Sequence, residues 1–238
     1  MIVQACLNGA RPSDFHPGLP LTPEAMAADA LACIKAGAAE LHIHPRNGDH
    51  AESLLAVDST LAVVRAACPG TLVGVSTGAW IENDIEKTRA CISNWSVLPD
   101  YASVNLSEPD APRVMELLRS IGVGIEAGLA TVADAERLVA LADHQKVLRV
   151  LIEIEEQQWP AALALAEGIV AVLARAPVTR SILLHGFDAT AWDFVRLARQ
   201  RNYSTRIGLE DCRHMPDGTL AAGNAALVAG AVAIFRRI

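Results

Sequence analysis

Eight short runs of aliphatic and β-branched residues recur along the chain, at 2–7, 40–44, 71–76, 101–106, 122–127, 148–154, 181–186 and 205–210. The segments between them carry helix signals. Thr22-Pro23-Glu24 supplies an N-cap, a proline at the first helical position and an acidic first turn, and Gly37 is placed to close that helix. Asp58, Asp84, Asp110, Thr131 and Asp188 are further start signals, and Asn224 lies at the start of the last helix. Strand and helix alternate throughout, which implies a parallel sheet. Eight such units favour closure, so the expected fold is α/β, a (β/α)8 TIM barrel, with residues 1–238 as a single domain. A doubly wound nucleotide-binding fold wants a glycine-rich turn after strand one. Here that turn reads Asn8-Gly9-Ala10-Arg11-Pro12, with no GxGxxG and no GKS or GKT. The longest irregular stretch, 10–21, follows strand one, where a barrel carries functional loops.

Composition agrees with this layout. Apolar residues make up 52% of the chain and aromatics only 4%, so burial rests on Ala, Leu, Val and Ile, as helices packed on buried parallel strands require. A formal net charge of −7 argues against a basic face for nucleic acid or anionic membrane and makes a small molecule the expected partner. Cys6, Cys33, Cys68, Cys91 and Cys212 are scattered and form no CxxC pair, the pattern of a reduced, cytoplasmic protein. Residues 1–9 pass straight into a strand without a targeting pattern, and the apolar stretches 161–174 and 225–235 are interrupted or too short to span a bilayer.

The strongest chemical signal is His42-Ile43-His44 at the end of strand two. Residues two apart in a strand project from one face, so both imidazoles point together, while Leu41 and Ile43 face the helices. Paired neutral imidazoles suit a divalent transition metal, although one of them can equally be a core histidine bonded to backbone. A catalytic site usually has a third protein ligand. Glu210, ending strand eight, is well placed, because closure sets that strand beside the first and near the second. Asp211 reads either as part of this site or as a cap for the following helix. Ser76-Thr77-Gly78 ends strand three, as a hydroxyl beside the metal or as an ordinary turn. Ser103 and Asn105 share a face of strand four. Glu126 inside strand five needs a partner, and is either a functional base or half of a structural ion pair. Arg206 can pair with Glu126 or Asp211, or bind a substrate carboxylate. His185 and Glu153 line the expected mouth. His16, His50, His144, His214 and Cys212 read as surface residues, with a reactive thiol as the alternative for Cys212 because it follows the expected ligand directly.

In this order the chain resembles the beta-keto acid cleavage enzymes, whose best-known type acts on 3-keto-5-aminohexanoate. The resemblance is carried by Leu7-Asn8-Gly9-Ala10, Leu19-Pro20-Leu21-Thr22-Pro23-Glu24, His42-Ile43-His44-Pro45-Arg46, Ser76-Thr77-Gly78, Ser103-Val104-Asn105, Ile125-Glu126 and Arg206-Ile207-Gly208-Leu209-Glu210-Asp211. It implies zinc, or another divalent metal, on His42, His44 and Glu210. It also implies a beta-keto acid and acetyl-CoA as substrates, acetoacetate and a new acyl-CoA as products, and a homo-oligomer. Glu126, Asp211 and Arg206 are the implied proton-handling residues, with Ser76 bonding the reacting oxygens. Thr77, Gly78, Ser103, Asn105, Arg11 and Arg46 form the expected substrate-binding set.

Two departures bear on the substrate. Arg11 stands where the family commonly has an acidic residue, inverting the charge near the substrate's distal end. After strand six the acidic, glycine-free Leu151-Ile152-Glu153-Ile154-Glu155-Glu156 replaces a Gly-Pro-rich stretch near the coenzyme. Two further readings share these residues: a metal-dependent aldolase or hydrolase of small oxo-acids without CoA, and a non-catalytic barrel that binds a metal or carboxylate, with Arg11, Arg46 and Arg206 as anion clamps.

Overall fold

The computed structural model describes every residue except Pro177, Arg237 and Ile238, so that part of the expected domain span 1–238 lies outside the described residues. Eight parallel strands alternate with helices as a (β/α)8 barrel. In chain order the elements are β1 (Val3–Cys6), α1 (Pro23–Ala36), β2 (Glu40–Ile43), α2 (Val57–Ala67), β3 (Leu72–Ser76), a one-turn α3 (Ala79–Glu82) and α4 (Ile85–Ser93). There follow β4 (Tyr101–Asn105), α5 (Ala111–Ser120), β5 (Gly124–Leu129), α6 (Val132–Ala140), β6 (Arg149–Ile154), α7 (Trp159–Arg175), β7 (Ile182–Gly186), α8 (Ala191–Gln200), β8 (Thr205–Ile207) and α9 (Asn224–Arg236). The ladder runs β7-β6-β5-β4-β3-β2-β1-β8. Between β7 and β8 the seam is drawn together by one bridge, Leu183 to Ser204, with Leu184 N–H donating to Ser204 O and Ser204 N–H to Ile182 O.

The helix signals act unevenly. Thr22 accepts from Ala25 N–H, Asp84 from Lys87 N–H, and Thr131 with Asp134 forms a full capping box. Asp58, in contrast, lies inside α2, and its carboxylate accepts from Ser96 N–H instead of capping its own helix. Asn224 stitches elements together: its Oδ1 accepts from Leu209 N–H at 2.6 Å, and its Nδ2 donates to Leu7 O and to Asp29 on α1.

Strand alternation divides the interior in two. Val3, Ala5, Leu41, Ile43, Val73, Val75, Ala102, Val104, Ile125 and Ala127 point outward into one continuous core beneath the helices. The residues between them point into the barrel, and many are polar. Gln4 Nε2 lies 3.0 Å from Glu40 Oε1, from the Tyr101 hydroxyl and from Glu126 Oε1. Arg149 contacts Glu40 and reaches Glu126 Oε1 at 2.8 Å, off linear hydrogen-bond geometry, while its guanidinium stacks 5.0 Å over the Tyr101 ring. This charged floor lies directly below the histidines of β2.

Candidate active site

His42 near the end of β2 and His44 just beyond it present their rings inward, with the two Nε2 atoms 3.2 Å apart. Glu210 arrives from the turn after β8, with Oε1 3.5 Å from His44 Nε2 and Oε2 4.0 Å from His42 Nε2. All three are buried, and one ligand atom from each lies within 4.8 Å of the others. Glu210 can approach because residue 9 is glycine: at its φ of +53° a Cβ would lie 2.4 Å from Glu210 Cγ.

The charges here are incompletely matched by protein groups. Burial, with Arg206, His44 and His185, holds His42 well below the ordinary imidazole range despite Glu210. Burial acts the same way on His44, but Glu210 and hydrogen bonds to Glu210 and Glu52 outweigh it and push that imidazole up to about 9. Burial would raise Glu210, yet Arg206 and the two histidines hold it well below the carboxylate range. Glu210 Oε2 and His42 Nδ1 are buried without a hydrogen-bond partner. Two converging imidazoles, an ionised carboxylate and buried ligand atoms without hydrogen-bond partners fit a divalent transition metal.

A cavity of about 520 Å³ opens at the carboxyl ends of the strands, where barrels place their chemistry. Its wall includes the three candidate ligands, and Ser76, Ser103 and Asn105 bring hydroxyl and amide groups to it. Arg206 also reaches the wall and is the most buried arginine or lysine among the described residues: its Nη2 lies 2.5 Å from Glu210 Oε1 and 3.1 Å from Asp211 Oδ1. It therefore pairs with the β8 turn rather than with Glu126. Glu153 lines the opposite wall, and burial pushes its carboxyl up to about 7 against the lowering pull of Arg206.

Other expected residues stand back from this cavity. Glu126 is sealed in the floor, with Oε2 3.9 Å from His42 Nδ1. Asp211 is fully buried behind Arg206, its Oδ1 3.2 Å from His185 Nδ1. Thr77 donates to Ser103 O, and Gly78 forms the turn behind. Arg46 donates to the carbonyls of Gly9, Arg11 and His50, tying loops together. Arg11 reaches the cavity, but its Nε donates to Glu210 O and its NH2 pairs with Asp188 at 3.1 Å. Two readings are corrected. His16 is buried rather than on the surface, its ring bonding Ala221 O and Gly18 N–H. Cys212 is buried too, and burial with Asp211 pushes its thiol up to about 12, against a reactive role. Sequence reasoning missed Glu52, which meets His44, and Trp80, which lines the cavity. It also missed Arg149, the partner Glu126 required.

A barrel with two imidazoles and a carboxylate converging at its mouth defines the class as a (β/α)8 protein with a candidate metal site. A sequence profile of the beta-keto acid cleavage enzymes, BKACE, matches residues 1–158, and the chain belongs to this family. The matched part contains His42 and His44 but ends before Glu210. Among solved structures the chain is similar to ObcA in a ternary complex with a C4-CoA adduct and oxalate, with a TM-score of 0.71 and 20% identity over 90% of this chain. The chain spans 62% of the length of ObcA. It is also similar to a type I 3-dehydroquinate dehydratase from Clostridium difficile, with a TM-score of 0.65 and 11% identity, covering 97% of this chain and 91% of that one. A 3-dehydroquinate dehydratase from Geobacillus kaustophilus gives a TM-score of 0.63 and 9% identity, covering 98% and 89%. At these identities the likeness shows the barrel fold. No helix among the described residues is long and apolar enough to cross a membrane.

Proposed function

We propose that this protein is a zinc-dependent enzyme that transfers the acyl group of a beta-keto acid to the thiol of CoA. In balance, the bond between the ketone carbon and the carboxylate-bearing methylene breaks. Acetyl-CoA supplies the acetyl group that converts the released carbon unit to acetoacetate, and the ketone-side acyl group leaves as a new acyl-CoA. The observation that carries this reading is the meeting of His42, His44 and Glu210 at the cavity wall in a chain of this family. Those residues hold the metal, which when bound supplies Lewis acidity toward the keto acid's oxygens. Ser76, Ser103 and Asn105 orient the same oxygens by hydrogen bonds. Arg206 fixes the Glu210 carboxylate and, with Asp211 and His185, keeps that wall rigid. Glu153 accepts the methylene proton, being a carboxylate on the cavity wall poised near neutrality. Glu126 acts from beneath His42 rather than on substrate.

The CoA half of the reading rests on family membership, and ObcA, which shares the barrel, was captured with a C4-CoA adduct. One observation favours a second reading, an aldolase or hydrolase of oxo-acids that uses no CoA: Glu153 and Glu155 put carboxylates on the rim while Arg11 is taken up by Asp188, which disfavours a pyrophosphate there. Incubating beta-keto acids with and without acetyl-CoA separates the two, since only the first reading forms an acyl-CoA. Elemental analysis tests the metal. One equivalent of zinc in the native protein and none after His42→Ala and His44→Ala supports the site, and retention of zinc by the double variant overturns it. Residues 1–238 are taken as one barrel domain acting in the cytoplasm as a homo-oligomer; the five free, buried cysteines fit a reducing compartment, and sedimentation tests the assembly.

A further inference from the structure

The chain after His44 doubles back in a short hairpin. Asn47 N–H donates to Ala51 O, Ser53 N–H to Pro45 O, and the Asn47 side chain accepts from Asp49 and Ala51 N–H. Arg46 donates to His50 O across the bend, and Arg46 bridges Glu52 in antiparallel fashion. Residue 52 is thereby returned to the side of residue 44. There Glu52 Oε1 lies 2.5 Å from His44 Nδ1, the ring nitrogen facing away from Glu210, and Glu52 Oε2 accepts from Trp80 Nε1 at 3.0 Å. Trp80 reaches this point because residue 78 is glycine: a Cβ there would lie 2.2 Å from the indole ring. Both carboxylate oxygens are thus committed, one to the imidazole and one to a residue on the cavity wall.

We infer that Glu52 is a positioning residue for the metal centre, acting through His44, and that Trp80 anchors it. This rests on the metal reading above. With Nδ1–H donated to Glu52, the neutral form of His44 that a metal requires is the tautomer whose Nε2 lone pair faces His42 and Glu210, and the carboxylate makes that nitrogen a stronger donor. The hairpin with Arg46, and Gly78 by making room for Trp80, then hold this carboxylate in place. Trp80 is half exposed beside the cavity, so an event at the mouth that moves the indole also reaches His44.

The test is zinc titration against a competing chromophoric chelator, using the full chain. Loss of an outer carboxylate of this kind weakens metal affinity about 10–100-fold. Glu52→Ala is expected to do so, Glu52→Gln to do so less, since its one carbonyl can still accept from His44, and Trp80→Phe to weaken binding while leaving every ligand in place. In the zinc-loaded protein with ¹⁵N-labelled histidine, the native chain should show a downfield Nδ1–H proton that Glu52→Ala lacks and Glu52→Gln shifts upfield. A purely structural role for Glu52 would not give that graded signature. Native affinity in both Glu52→Ala and Trp80→Phe, or an unchanged imidazole spectrum, overturns the inference. His42→Ala is the control: if it too keeps its zinc, the metal site itself is wrong, whereas loss there with retention in Glu52→Ala refutes the role of Glu52 alone.

Discussion

Replacing Arg149 by methionine tests the charged floor of the barrel. Arg149 is the one cation among the described residues in ion-pair contact with both buried carboxylates, Glu40 and Glu126, and it also stacks on Tyr101. Methionine keeps length and apolar volume but leaves both carboxylates with Gln4 as their shared neutral donor. Stripping one partner from a buried ionic cluster costs about 3–5 kcal/mol, and loss of the cation–π contact adds up to about 2 kcal/mol where it is desolvated. For a chain of this length each kcal/mol lowers Tm by about 2–4 °C, so a fall of roughly 6–28 °C is expected. Urea unfolding followed by circular dichroism measures the free energy, and a thermal scan the shift. A cycle with Glu40→Gln separates charge from packing. If uncompensated charge is the cause, the double variant is more stable than Arg149→Met alone, with a coupling of at least about 1 kcal/mol. A loss below about 1 kcal/mol for Arg149→Met, or strict additivity in the cycle, would refute the account.

Three further outcomes are expected. Asp29 on α1 accepts from Asn224 at 2.6 Å, and burial raises its carboxyl from 3.8 to about 6. A raised acid binds its proton more tightly when folded, so the native chain loses stability as pH rises from about 4 through about 6. Asp29→Asn should remove that loss and gain about 1–2 kcal/mol at pH 8, after discount for residual exposure, with no gain at pH 4; a less stable variant at pH 8 in urea unfolding would contradict this. Glu153→Gln should lower the turnover of a beta-keto acid by about 10²–10⁴-fold and abolish a rise in native rate through about pH 7, since the ionised form takes the proton. An unaltered pH–rate profile removes Glu153 from the chemistry. Gly9→Ala should cost about 1–2 kcal/mol for its left-handed backbone and weaken zinc binding by displacing Glu210; chelator competition reads the second effect, and native affinity would show that Glu210 is not held from this side.

What the sequence made legible follows from which constraints are local. The two-residue period of a strand fixes His42 and His44 on one face whatever the rest of the chain does, and it likewise puts Ser103 and Asn105 together. Glu210 was reachable only through barrel closure, a global rule that brings β8 beside β1. Local rules ran out where a side chain answers to a distant register. Glu126 was recognisable as needing a partner, but the partner is Arg149, set opposite it by the pairing of β5 with β6. Glu52 lies eight residues beyond His44 in an irregular segment, and only the hydrogen bonds of a hairpin return it. Asp58 shows the opposite failure, a residue of the right type for a cap that serves another loop.

The interior of this barrel is an incomplete charge balance, and that imbalance links fold to function. Along its axis two guanidinium groups, Arg149 and Arg206, and the raised imidazole of His44 stand against four carboxylates, Glu40, Glu126, Glu210 and Asp211. Hydrophobic packing outside the strands holds these groups together, because the outward-facing half of every strand is committed to the core beneath the helices. A sheet built for packing alone would not carry so many ions inside it, since buried ion clusters are seldom more stable than apolar side chains of the same volume. The surplus negative charge is better explained as preparation for a cation. A divalent ion between His42, His44 and Glu210 offsets it where the two imidazole Nε2 atoms converge with a carboxylate and the cavity gives access. On this view the floor of Gln4, Glu40, Glu126 and Arg149 sets the potential beneath the metal, while Arg206 and Glu52 set the geometry of its ligands. The Lewis acidity proposed for keto-acid cleavage is then a property of the whole barrel interior rather than of three residues.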